Sequence, residues 1–177
     1  MMRRLLPLLA FAALAVLLGL GVLRNSGRDN SAIVSPLIGK PAPAFALPVL
    51  GTPERIVSGD ELRGAPYLLN VWGSWCPACR DEHPVVTAIA RSGAVRVIGY
   101  DYKDAPEDAQ RWLAQFGDPY DVVITDEDGR AALDWGIYGA PETFLVDAEG
   151  IIRWKHVGPM DEAIVHEELM PLLESLQ

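Results

Sequence analysis

Pro66 to Gly73 reads PYLLNVWG, apolar throughout except for Asn70 and closed by turn formers at both ends. A strand with apolar side chains on both faces needs cover on both faces, which an inner strand of a layered α/β sheet receives. The chain after it keeps the alternation that such a sheet requires. Arg80–Arg91 reads as a helix with Pro84 inside it, where a proline kinks. Val95–Tyr102 reads as a strand, and Ala105–Phe116 has helical spacing through Ala109, Trp112, Leu113 and Phe116. A strand at Asp121–Thr125 and a short helix at Gly129–Trp135 follow. Thr143–Val146 and Ile151–His156 flank the turn Asp147–Gly150, a hairpin signal. Asp161–Leu176 closes the chain as a helix bent at Pro171, and Ala42–Leu62 supplies a short hairpin in front. The order β-α-β-α-β-α-β-β-α predicts an α/β fold with a central mixed β-sheet flanked by helices on both faces. The 177 residues, half of them apolar, suit one such domain plus an appendage.

The appendage is N-terminal. Leu5–Leu23 is uncharged over nineteen residues, enough at about 1.5 Å per residue to match a hydrocarbon core of about 30 Å. Arg3 and Arg4 precede it, so the positive-inside rule leaves the N-terminus in the cytoplasm and the body outside. The run ends VLRNSGR without an A-x-A site, which favours an uncleaved anchor over a signal peptide. The expected organisation is an anchor with one transmembrane helix at residues 1–24, a polar tether at 25–38 and a globular domain at 39–177. The net charge is −9, and four of the fifteen basic residues lie in the first thirty positions. A body this acidic excludes nucleic acid as a partner, because that binding depends on neutralising phosphates.

Cys76 and Cys79 are the two cysteines of the chain, and they follow the apolar strand directly as WCPAC. A haem anchor needs C-x-x-C-H, and Arg80 stands where the histidine belongs. A zinc site wants four ligands, and with His83 three can be assembled, so no metal is expected. A structural disulfide over so short a loop gains little from chain entropy. Redox chemistry remains. A thiol at a helix N-terminus meets unpaired N–H groups and the positive end of the helix dipole, both favouring thiolate, the nucleophile of disulfide exchange. Cys76 is expected to be exposed and to attack. Cys79, one turn into the helix, resolves the mixed disulfide.

WCPAC with Trp72, GYDYKD at Gly99–Asp104 and GIYGAPETFLVD at Gly136–Asp147 resemble the CcmG/DsbE family of cytochrome c maturation. The resemblance runs from about Gly39 to the C-terminus and includes the single N-terminal anchor. It implies a thioredoxin-like fold in which Pro141 is cis and faces a redox-active Cys76–Cys79 disulfide. It also implies that the Ala140 backbone pairs with an extended substrate. The implied function is a thiol:disulfide oxidoreductase on the periplasmic side of the inner membrane, needing no cofactor. It reduces the C-x-x-C-H disulfides of apocytochrome c. A membrane electron donor of the DsbD/CcdA type recharges it, and other cytochrome c maturation components are further partners. The rival readings are a periplasmic reductase or oxidant of broader specificity, and a non-catalytic factor that holds apocytochrome.

Thioredoxin carries a buried aspartate in the strand before its motif, where this chain has Asn70. Glu82 and Glu142 are the carboxylates expected to take over its proton-accepting role. Trp75 and Pro77 are expected to flank Cys76, and Trp72 to be core. His83, His156 and His166 are expected at the surface. Lys103 and Asp104 fit either a recognition loop or a solvated turn.

Overall fold

The structure, a computed structural model, describes Phe11, residues 14–21 and residues 35–176. The chain divides into two units, residues 1–33 and 34–177. In the first, residues 14–21 are helical, with Leu14, Leu17 and Leu18 exposed. No helix among the described residues is long and apolar enough to cross a membrane, and most of Leu5–Leu23 lies outside them. Residues 25–34 of the expected tether lie outside them too.

The second unit is built on a seven-stranded sheet. Its elements are β1 (Ala46–Val49), β2 (Thr52–Ser58), β3 (Tyr67–Trp72), α1 (Pro77–Ser92), β4 (Arg96–Tyr102), α2 (Pro106–Phe116), β5 (Val122–Asp126), α3 (Arg130–Asp134), β6 (Glu142–Val146), β7 (Ile152–Val157) and a closing helix α4 over residues 162–175. The spatial order is β2-β1-β5-β4-β3-β6-β7. β3, β4 and β5 run parallel, while β1 and β2 on one side and β6 and β7 on the other join through antiparallel pairs.

Every residue of β3 is buried, because both its faces are roofed. Leu69 and Val71 point into a core shared with Phe45, Trp135 and Phe144. Leu68 points to the other side, against Val86 and Ile89 of α1 and Leu169 of α4. Trp72, on that same side, packs with Trp112 and Leu113 of α2. The parallel strands all end at one edge of the sheet, and Pro141 enters β6 there, since Glu142 pairs with Val71. At the opposite edge the start of the domain is stapled to the β6–β7 turn. Gly39 N–H donates to Ile152 O, Ala42 N–H to Gly150 O, and Ile152 N–H to Lys40 O.

Both helices with an internal proline continue through it. α1 runs through Pro84 unbroken, with the proline on the exposed face. α4 changes to π-helical winding over Val165–Leu169 just ahead of Pro171, where Met170 N–H reaches back to Val165 O. Pro171 has no N–H to return, so the turn before it takes the wider ladder. The arrangement is the thioredoxin-like α/β fold.

Candidate active site

α1 begins at Cys76. Its backbone is extended (φ −95°, ψ 106°), Pro77 occupies the first helical position with its φ already helical, and Cys79 N–H donates to Cys76 Sγ at 3.1 Å. The first turn holds no acidic side chain, so nothing competes for its free N–H groups. Cys76 and Cys79 are joined as a disulfide, which makes this the oxidised state.

The loop ahead of Cys76 is held by the end of β4. Ser74 donates through its N–H and its hydroxyl to the two oxygens of Asp104, and Trp75 Nε1–H donates to Tyr102 O at 3.1 Å. Gly73 is needed under this clamp: a Cβ there would lie 2.5 Å from Trp75 Nε1. Trp75 itself remains half exposed.

The second wall is the Gly136–Ala140 loop. The Ala140–Pro141 bond is cis, and Ala140 O lies 3.4 Å from Cys76 Sγ. In the disulfide that sulfur has no proton to give, so the contact becomes a hydrogen bond only when Cys76 is a thiol. Contrary to the sequence expectation, Cys76 is only 3% exposed, about as buried as Cys79 at 2%. The physical reason is this loop on one side and the Trp72–Trp112 cluster on the other. Access comes through a groove of about 320 Å³ lined by Trp75, Cys76, Pro77, Arg80, Trp112 and Phe116, among others. Cys76 opens on it and Cys79 does not.

Glu82 and Glu142 have different surroundings. Glu82 faces inward one helical turn after Cys79. It accepts Asn70 Nδ2–H and Met160 N–H, each at 2.9 Å. Burial nonetheless pushes its carboxyl up to about 7, with these two donors pulling the other way. Asn70 also donates to Thr143 and accepts from Tyr120 Oη–H, so it joins β3, α1, β6 and the α2–β5 loop. Glu142 is also buried, but Lys155 Nζ lies 2.8 Å from its Oε2, and its Oε1 accepts Tyr138 N–H. Lys155 further donates to Gly136 O and lies over the rings of Tyr138 and Phe144. Glu142 and Lys155 therefore hold the Gly136–Ala140 loop in place.

Residues 37–169 match the Redoxin family. The chain is 50% identical over 175 residues to the thiol:disulfide interchange protein DsbE of Allochromatium vinosum, covering 99% of this chain and 94% of that protein. It is 47% identical over 174 residues to DsbE of Xylella fastidiosa, with 97% and 88% covered. It is 45% identical over 172 residues to DsbE of Escherichia coli K12, with 96% and 92% covered. The chain belongs to the DsbE family of thiol:disulfide interchange proteins. Solved structures share the fold. MTB dsbF superposes with a TM-score of 0.64 at 26% identity, covering 75% of this chain and 95% of that one. A putative DsbE from Chlorobium tepidum gives 0.62 at 27%, covering 78% and 95%.

As a DsbE-family chain this is a disulfide oxidoreductase with one dithiol. Several residues around that dithiol differ from the sequence expectation. His83 is buried, not at the surface: its ring lies edge-on to Trp112 and 3.1 Å from Gly117 O, so it fastens α1 to the end of α2. Burial holds its pKa below the ordinary histidine value. His156 is also buried, stacked on Trp154, while His166 is exposed as expected. Asp104 is the latch on Ser74 and not a solvated turn residue; Lys103 beside it is exposed. Lys155, Tyr120 and Asp101 belong to no motif that points to these contacts. The one available signal was a lysine in the alternating strand after GAPETF.

Proposed function

We propose that this chain is a membrane-anchored reductant that opens the disulfide of apocytochrome c C-x-x-C-H motifs on the periplasmic side of the inner membrane. The observation that carries the reading is the place of Cys76, at the N-terminus of α1, open on a groove and 3.4 Å from the Ala140 carbonyl. An extended substrate lying along Ala140 presents its own disulfide to Cys76 in a β-augmentation contact.

The chemistry balances as thiol–disulfide exchange. Cys76 thiolate attacks one substrate sulfur, forming a mixed disulfide and releasing the other substrate sulfur as thiolate. Cys79 then gives up its proton and attacks Cys76 Sγ, releasing the first substrate sulfur. The substrate leaves with two thiols, and this chain keeps the Cys76–Cys79 disulfide found here. Glu82, one turn beyond Cys79 and with a carboxyl near 7, is the acceptor for the Cys79 proton. Trp75 and Pro77 flank the attacking sulfur. Ala140 and Pro141 dock the substrate strand, and Glu142 positions them. A membrane dithiol donor of the DsbD/CcdA type resets the pair, and other cytochrome c maturation components receive the product. The apolar run Leu5–Leu23 and the basic pair ahead of it support the anchor and the periplasmic placement of the body.

The test is complementation of a strain lacking its own DsbE-type protein, read by haem staining of c-type cytochromes. Wild-type restores staining, and Cys76→Ser does so only with an external thiol reductant. Full restoration by Cys76→Ala without reductant points instead to the apocytochrome-holding factor. A reporter fused after Gln177 should be active in the periplasm, and the chain should stay with membranes after a salt wash.

A further inference from the structure

Asp101 has no role in the exchange chemistry, yet its strand neighbour is Trp72, which packs with both cysteines. It is the sixth residue of β4, 1% exposed, paired in register with Trp72 on one side and Thr125 on the other. Neither of its carboxyl oxygens meets a donor. The Thr125 hydroxyl is turned away to Pro48 O. A buried ionised carboxylate without donors or a cation is costly enough that such groups take up a proton instead.

The groups acting on Asp101 are acidic: Asp104 beyond the end of the strand, then Glu127 beyond β5, while the Tyr120 hydroxyl of the α2–β5 loop is given to Asn70. Asp104 is an acceptor already in use. It takes the Ser74 N–H and hydroxyl and the Ala105 N–H. Two carboxyls set against each other form a hydrogen bond only when one of them holds a proton.

We propose that Asp101 is that one: it holds a proton, donates it to Asp104, and through Asp104 fixes the Ser74–Trp75 segment ahead of Cys76. Asp101 is thus a positioning residue for the dithiol, acting two contacts away from the sulfur. Burial, reinforced by Asp104, pushes its carboxyl up to about 8. Below that pH the proton bridges the pair and the clamp on Ser74 is closed. Above it two negative charges face each other in a buried site, Asp104 is driven off, and Ser74 loses its acceptor. Trp75, held by its own bond to Tyr102 O, then carries the loop alone.

The test uses the oxidised full chain in detergent, where neither cysteine titrates, and needs no substrate. It is therefore independent of the apocytochrome reading. The readout is the Ser74 amide N–H chemical shift against pH, with the Asp101 carboxyl carbon followed in the same wild-type sample. Both are expected to inflect together near pH 8. Asp101→Asn keeps an N–H to donate to Asp104 but cannot ionise, so its Ser74 amide should stay at the low-pH position throughout. Asp101→Leu, which has nothing to donate, should show the high-pH position at every pH. A flat Ser74 shift in the wild type, an Asp101 carbon that titrates in the ordinary carboxylate range, or an inflection that survives in Asp101→Asn overturns the proposal.

Discussion

Asn70 Nδ2 donates to Glu82 Oε1 at 2.9 Å, which links the centre of β3 to the first turns of α1 beneath the dithiol. The strand contributes a neutral amide and the helix contributes the acid, so the buried carboxyl lies on the same element as the resolving cysteine. Glu82→Gln keeps one acceptor oxygen for either Asn70 Nδ2–H or Met160 N–H, gives up the other bond, and removes the proton acceptor. Trapped mixed disulfide with a C-x-x-C-H peptide should accumulate, and its resolution should slow by about 10²-fold. The wild-type resolution rate should inflect near pH 7, and the variant should lose that inflection.

Stability should fall as pH rises through neutrality. Glu82 has a folded value of about 7 against an ordinary 4.5, so the folded chain holds a proton that the unfolded chain releases. That stabilisation is complete below 4.5 and is lost as pH passes 7, about 3 kcal/mol at the extreme. Asp101 acts in the same direction between 3.8 and about 8. His83, with its value lowered, works oppositely: its contribution is present above 6.5 and fades in acid. Urea midpoints measured across this range should trace the combined slope. Glu82→Gln and Asp101→Asn should each flatten its alkaline side.

Lys155→Met should leave Glu142 as an unpaired buried carboxylate and remove the donor to Gly136 O. A cost of about 3 kcal/mol is expected. Adding Glu142→Gln should recover part of it, since no buried charge is then left unmatched. A denaturant series on the two single variants and the double variant measures the coupling. If the cost of each variant simply adds, the pair does not hold the loop.

In the reduced chain Cys76 should be alkylated first and should titrate below a free thiol's value of about 8.5, because it caps α1 and opens on the groove. Faster reaction at Cys79 would reverse the two roles. The reduction potential should lie nearer thioredoxin's value of about −270 mV than DsbA's of about −120 mV, because Glu82 opposes negative charge around the dithiol. Glu142 gives no such opposition, being neutralised by Lys155. Equilibration with glutathione measures the potential, and a value near that of DsbA would make the chain an oxidant.

The sheet was legible in the sequence where a local rule has one outcome. β3 follows from an apolar run, the β6–β7 hairpin from Asp147–Gly150, and α1 from the dithiol placed after a strand. The errors concern residues whose surroundings come from elsewhere in the chain. His83 reads as surface on its own helix, and it is α2 with Trp112 that buries it. Lys155 carries no sign of its role in its own strand, because Glu142 and the Gly136–Ala140 loop that it holds come from elsewhere. Cys76 reads as exposed because a helix start suggests it, while Ala140 closes over the sulfur. Asp101 gives no local sign, since its burial depends on two neighbouring strands and its partner on the turn after its own.

The staple between Gly39–Ala42 and the β6–β7 turn fastens the domain by the edge of the sheet away from its sulfurs, a strand length of about 20 Å from Cys76. A pull transmitted along the chain ahead of Gly39 is borne by β7 and the turn at Gly150, and it bypasses β3 and the loop before Cys76. Trp75 and Ala140 lie at the other end of the strands, so the end of the sheet that carries the dithiol bears no load.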